Sequence, residues 1–231
     1  TAGGRIIGSQ NIGGMLVIDS GGVVANLVND AANAVTLTSG NLTMNDATAA
    51  GQDVTVTAGN LTINDITQRH LLANGGVTTI NDITHGNATL RNDAVVNQAG
   101  VIGGALDVGN AALYVGAAGA NITGAVTINT ANAGMNTLHD AANAVTLTAG
   151  KLTMNNATGA GALVTVTAGE LIMNNAANDL TVNGGIATVN DVANDVTLAN
   201  AGNLSVATNI GGKVDGAGTL TLTKAGTVGG A

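Results

Sequence analysis

The chain contains no cysteine, proline, tryptophan or phenylalanine, and a single tyrosine, Tyr114. Without cysteine no disulfide can form, which is compatible with secretion and leaves the redox compartment open. With Tyr114 the lone aromatic residue, stacking platforms for sugars are missing and few of the anchors that dominate protein interfaces are present. Charge is also scarce, at 9% of residues, and acidic in balance, with a net charge of -8. That balance argues against nucleic acid, which requires a basic stripe. The six basic residues (Arg5, Arg69, Arg91, Lys151, Lys213 and Lys224) are scattered and form no polybasic membrane patch. Long hydrophobic runs are missing too. The longest, MLVI and VVANLV, are strand-sized, so no membrane insertion is expected. No leader is visible in TAGGRIIGSQ, so the chain is expected to be cytosolic, already processed, or a piece of something longer.

What remains is Ala, Val, Leu, Ile, Thr, Asn and 35 glycines, with 45% hydrophobic residues. A disordered chain is rich in charge and poor in branched apolar residues. This composition is the reverse, and can bury a core of small and β-branched side chains.

The organisation is a repeat. Residues 30–66 and 140–176 align without a gap, with 26 of 37 positions identical. After a one-residue slip, GGVTTINDIT at 75–84 returns as GGIATVNDVA at 184–193. A long unit, 30–84, is therefore duplicated at 140–193, with a less regular middle at 85–138. Inside each copy sits a shorter repeat. NAVTLTSGNLTMNDAT at 33–48 is echoed by DVTVTAGNLTINDIT at 53–67, and INDIT at 63–67 recurs at 80–84.

Each short unit reads as strand, turn, strand, turn. In AVTLT, Val35 and Leu37 point to one face and Thr36 and Thr38 to the other. In NLTMN, Leu42 and Met44 point inward and Thr43 outward. Period-two alternation of β-branched residues marks half-buried strands. The intervening SG or AG requires a glycine backbone, and glycine is too frequent for helices. Tandem strand pairs at this period predict an all-β parallel β-helix, or β-solenoid. About eleven to twelve coils of roughly 17–20 residues are expected, as one continuous domain over 1–231. Coils stacked about 4.8 Å apart would make a rod about 55 Å long, with like residues stacked on like. A right-handed coil of triangular section is the expected form, with two-sided or left-handed solenoids as alternatives.

Several residue sets emerge from the stacking. Asn45, Asn64, Asn81, Asn155, Asn174 and Asn190 hold one repeat position and are expected to form an amide ladder; plain turn residues are the alternative. Lys151 and Glu170 fall one coil apart and should be neighbours in an exposed pair. The pairs Thr36/Thr38, Thr55/Thr57, Thr146/Thr148 and Thr165/Thr167, with Thr221/Thr223 later, form outward T-x-T motifs. Such motifs resemble ice-binding faces, although these pairs lapse for several coils. Asp46, Asp65 and Asp82 are the one weak calcium candidate, as stacked oxygen ligands. The glycine-rich calcium nonapeptide is absent, and solvated turn acids are the competing reading.

Catalytic chemistry is hard to find. Glu170 is the only Glu, and its counterpart in the first copy is Asn60. The counterparts of Asp46, Asp65 and Asp82 are Asn156, Asn175 and Asp191. Exchange of Asp with Asn suits turn corners better than acid–base work. His70, His85 and His139 share no repeat position, so no metal-ligand spacing emerges. No catalytic residue, cofactor or resident metal is expected. Six sequons (Asn41, Asn60, Asn87, Asn121, Asn156 and Asn203) reflect the Asn/Thr-rich composition.

GAGTLTLTKAG at 216–226 resembles the short G-x-G-x-L-T-L strand repeat of bacterial autotransporter passenger domains. The NAVTLTAG style is similar to rickettsial surface-antigen passengers. The resemblance implies a surface-displayed β-helix, extracellular or on a bacterial cell surface. The family's C-terminal membrane barrel is not in this sequence.

The expected function is non-enzymatic and structural: a self-assembling segment of a filament, stalk or surface layer, whose partners are other copies of itself. The alternative is an adhesin module binding a host or neighbouring cell surface. For that reading the irregular stretch 85–138, with Arg91 and Tyr114, is the place to look. Ice binding is a minor alternative.

Overall fold

A computed structural model describes residues 10–19, 25–48, 53–67, 69–92, 94–98, 100–115, 121–130, 135–224 and 226–230. Among them there is no helix; the secondary structure is strand throughout. The chain divides into two compact units, 1–120 and 121–231. Each is a stack of parallel strands wound as a β-solenoid, and together they make about ten turns.

In the first unit, one sheet is built from Leu16–Asp19, Val35–Ser39, Val54–Val56, Leu71–Ala73, Ala88–Leu90 and Leu106–Gly109, in that order. A second sheet runs Ala25–Ala31, Asn41–Ala47, Asn60–Ile66, Val77–Asp82, Val95–Gln98 and Ala112–Val115. The register sets like on like: Val35 on Val54, Leu42 on Leu61, Met44 on Ile63. The second unit repeats this plan. Val126–Asn129, Val145–Ala149, Val164–Val166, Leu180–Asn183, Val196–Ala199 and Val214–Gly216 form one sheet. Lys151–Ala157, Glu170–Ala176, Ile186–Val192, Asn203–Val206 and Thr219–Leu222 form the other.

The longer strands serve two sides of a turn. Lys151–Ala157 pairs with Met135–Thr137 through its first half and with Asp140–Ala141 through its second. Ile186–Val192 likewise pairs with both Asn203–Val206 and Asn209–Ile210. The Asn-rich dipeptide in the middle of each long strand is therefore a corner between two short sides.

Alternation determines what is buried. Val35, Leu37, Leu42 and Met44 are buried, as are Val145, Leu147, Leu152 and Met154 at the matching places. Full burial of each such side chain stabilises the fold by about 1.5–3 kcal/mol. Thr78 breaks the column of Leu42 and Leu61; it is fully buried, and its hydroxyl has no hydrogen-bond partner. The turn glycines answer a second constraint. Gly59 and Gly169 have φ near +87° and +89°, and a Cβ there would lie 2.2 and 2.3 Å from the carbonyl oxygens of Gly40 and Gly150 one turn below. Only a residue without a side chain satisfies both the conformation and the close stacking.

Candidate functional site

The polar chemistry of the chain is gathered at the corners of the long strands. In the first unit, Asp30, Asp46, Asp65 and Asp82 succeed one another in register over four turns. Asn29 donates to Asp30 at 3.1 Å, Asn45 to Asp46 at 3.1 Å and Asn81 to Asp82 at 2.9 Å. Asp65 is served instead by the hydroxyls of Thr67 and Thr84, each at 3.0 Å. One oxygen of Asp46, Oδ1, is buried without a hydrogen-bond partner. Burial raises the Asp46 pKa, and the carboxylates of Asp30 and Asp65 push the same way. The Asn64 amide and the Asp65 backbone pull it back only in part.

The second unit carries Asp140, Asn156, Asn175 and Asp191 in the same places. Here amides link the turns: Asn156 donates to Asp140 at 2.9 Å and Asn175 to Asn156 at 2.9 Å. The six asparagines expected to form their own ladder divide according to the next residue in the chain. Asn174 donates to Asn155 at 3.4 Å, and both precede another Asn. Asn45, Asn81 and Asn190 precede an Asp and donate to it, Asn190 at 3.2 Å. Asn64 acts on the Asp46 carboxylate. An ionised carboxylate accepts more strongly than an amide oxygen, so the expected ladder gives way to amide–carboxylate bonds wherever Asp is adjacent. Direct Asn–Asn rungs occur elsewhere, between Asn60 and Asn41 at 2.7 Å and between Asn194 and Asn178 at 2.9 Å.

The calcium candidates Asp46, Asp65 and Asp82 are thus stacked one per turn rather than convergent. Among the described residues, no group of three or more His, Cys, Asp or Glu is placed to hold a metal ion. Nor is any helix among them long and apolar enough to cross a membrane. The three histidines are spread out. His70 accepts from the Asn87 backbone at 2.9 Å, His139 lies 3.2 Å from Asp140, and His85 is exposed.

Lys151 and Glu170 stand in register with Nζ and Oε1 3.0 Å apart. With Gly150, Gly169, Gly185 and Ile186 they line an open groove of about 520 Å³, floored by glycine backbone. The backbone groups of that floor are already used in stacking, as Glu170 N to Gly150 O and Ile186 N to Gly169 O show.

The threonines separate into two kinds. Thr38 and Thr148 sit where the register slips by one residue, and their hydroxyls donate to the carbonyls of Ile18 at 3.1 Å and Ile128 at 3.0 Å. They serve the fold rather than an outer rank. Thr57 and Thr167 are exposed, while Thr36, Thr55, Thr146 and Thr165 are half-buried on the outer face. The rank of Thr146 and Thr165 is longer than T-x-T pairs reveal. Thr127, Thr146, Thr165, Thr181 and Thr197 succeed one another over five turns. The signal was an apolar–Thr–apolar triplet, since Thr127, Thr181 and Thr197 have no Thr two residues later. In the first unit Leu72 interrupts the equivalent row of Thr36, Thr55 and Thr89.

Two basic residues have structural roles that composition concealed. Arg91 pairs with Asp107. Arg69 is buried, 1% exposed, and donates to the carbonyls of Ala31 and Asn33. The backbone of Tyr114 lies in Ala112–Val115, and its side chain is outside the described residues.

The last turn differs from those before it. Val214, Leu220, Leu222 and Val228 continue the interior columns of Val196, Leu204, Val206 and Ile210, all buried. Yet Leu222 and Val228 are 39% and 40% exposed, and Val214 and Leu220 are half-exposed. Among the described residues, no strand pairs with the outer edge of this turn.

No protein-family model matches the chain, and neither a curated protein nor a solved structure matches it.

Proposed function

We propose that this chain is a non-enzymatic, extracellular structural protein: a self-assembling β-solenoid segment of a filament, stalk or surface layer. The observation that carries the reading is the stack itself: successive turns of similar outline pair in register, strand on strand and like on like. The same contacts can join a turn of one copy to a turn of another, because each turn presents the surface its neighbour needs. The low charge and the Thr, Asn and Ala outer surface are compatible with close lateral packing. In this reading the chain belongs to the same class of object as bacterial autotransporter passengers, displayed at a cell surface.

The test is sedimentation velocity and negative-stain electron microscopy of the 231-residue chain over a concentration series, beside Leu222→Lys/Val228→Lys. Concentration-dependent filaments or sheets in the wild type, lost in a variant with unchanged circular dichroism, support the reading. Single short particles at every concentration overturn self-assembly and move the weight to a displayed adhesin module.

A further inference from the structure

The two units are near-copies that handle one corner with different chemistry. In the first, four ionisable carboxylates are stacked turn upon turn at Asp30, Asp46, Asp65 and Asp82. In the second, the middle two are amides, Asn156 and Asn175. We propose that the carboxylate ladder makes the first unit acid-tightened: in mild acid a proton shared between Asp46 and its neighbours supplies the donor the ladder lacks, and the turns bind one another more firmly than at neutral pH.

The argument is one of donors and acceptors. An ionised carboxylate only accepts, whereas a protonated one also donates. Parallel turns bring equivalent residues to about 4.8 Å, and like charges opposite one another on neighbouring strands destabilise. The available donors are already committed. Asn29 serves Asp30, Asn45 serves Asp46 with a longer reach of 3.4 Å to Asp30, and Thr67 and Thr84 serve Asp65. Asp82 takes the Asn81 amide and the Val101 backbone at 2.7 Å. Asp46 also has the Asn64 amide and the Asp65 backbone beside it, yet its Oδ1 is buried with no partner at hydrogen-bond geometry.

The second unit shows what a donor at this position achieves. An amide is a carboxyl with one oxygen replaced by a permanent donor, and Asn156 uses it to reach Asp140 one turn below. Protonated Asp46 would have the same capacity toward Asp30 or Asp65. The charged groups facing Asp46 are Asp30 from the strand below and Asp65 from the strand above, with Asp82 one turn further on. The guanidinium of Arg69 is directed at the carbonyls of Ala31 and Asn33, and the carboxylate that acts on it is Asp53.

The sign comes from linkage. The folded-state pKa of Asp46 is raised, so this group's favourable contribution is fully present below the ordinary Asp value and is lost as pH rises through the raised one. That runs opposite to ordinary acid denaturation, in which paired carboxylates lose their partners.

Hydrogen exchange read by mass spectrometry on the full chain reports each unit separately. Amide protection, corrected for intrinsic rates, is compared at neutral pH and at about pH 4.5, just above the ordinary Asp value. In the wild type, peptides spanning 41–66 should gain about two- to fivefold protection in acid, relative to peptides spanning 151–176. Asp46→Asn should raise protection at neutral pH and remove the acid gain. Asn156→Asp should lower protection of the second unit at neutral pH and give it a new acid gain. Equal pH dependence in the two units, or a loss of protection on Asp46→Asn at neutral pH, would overturn the proposal.

Discussion

Arg69 is the largest fully buried side chain among the described residues, in a chain with only six basic residues. It spans 38 residues of sequence to reach the Ala31 carbonyl at 2.9 Å, and 36 to reach that of Asn33. Burial holds the guanidinium pKa below its ordinary value, with Asp53 acting in the opposite sense. Three effects set the cost of Arg69→Ala. The Asn33 carbonyl loses a charge-assisted donor, an effect of about 1–3 kcal/mol. The Ala31 carbonyl loses less, because it keeps the Thr48 N–H at 3.1 Å. Removing a large buried side chain leaves a cavity, which costs roughly 2–5 kcal/mol for residues truncated to Ala. Against these stands relief from burying a cation, which is worth several kcal/mol in the other direction. The net expectation is a loss of about 3 kcal/mol. Arg69→Met separates the effects, since it fills the space without donors and should cost about 1–2 kcal/mol. Arg69→Lys keeps the charge but not the fork that reaches two carbonyls, and should fall between Met and wild type. Urea unfolding followed by circular dichroism measures all three from midpoint and slope. If Arg69→Met is as stable as the wild type, the carbonyl contacts contribute nothing net and the reasoning fails.

Other expectations are simpler. Gly169→Ala places a Cβ 2.3 Å from the Gly150 carbonyl at a φ of +89° and should cost about 2–4 kcal/mol in the same assay; a cost below about 0.5 kcal/mol would mean that the turns are not stacked this closely. Thr78→Val replaces a buried, unpartnered hydroxyl by an isosteric methyl and should stabilise by about 1 kcal/mol, visible as a raised unfolding midpoint. A destabilised Thr78→Val would show that the hydroxyl is bonded after all. Lys151 and Glu170 are 30% and 43% exposed at their side chains, so a double-mutant cycle should return a coupling below about 1 kcal/mol that weakens with salt. A larger, salt-independent coupling would point to a desolvated pair.

The strand stacking was legible because like stacks on like. Once NLTMN and NLTIN are written one above the other, Leu42 must meet Leu61, and the register carries it. Alternation then assigned Val35 and Leu37 inward without knowledge of any contact, and both are buried. The corners were less legible. Repeat position alone suggested that Asn45 would bond the next Asn up the stack. The deciding quantity is the acceptor beside it in the chain, Asp46, and comparison between turns does not weigh neighbours within a turn. Arg69 was the hardest to read. It occupies no repeated position, its partners are backbone carbonyls, and a lone Arg in an acidic chain looks like scattered surface charge. T-x-T pairs along a strand reveal only part of the Thr rank. The regularity runs across strands, through Thr127, Thr146, Thr165, Thr181 and Thr197.

Interior columns and corners therefore constrain a solenoid in different ways. A column accepts Val, Leu, Ile or Met with small changes in energy, since each merely continues an apolar stack of similar volume. A corner is a polar ladder, where one atom decides whether neighbouring turns repel or bond. The differences between the duplicated segments show the contrast. Ile63 against Met173 and Ile66 against Ala176 leave the columns buried. Asp46 against Asn156 and Asp65 against Asn175 exchange a row of acceptors for a row of linked amides. If both units began as one sequence, these two exchanges altered their response to pH without disturbing the core. A variant carrying Asp46→Asn and Asp65→Asn should then unfold with equal pH sensitivity in its two halves, and a surviving difference would have to come from outside the corner.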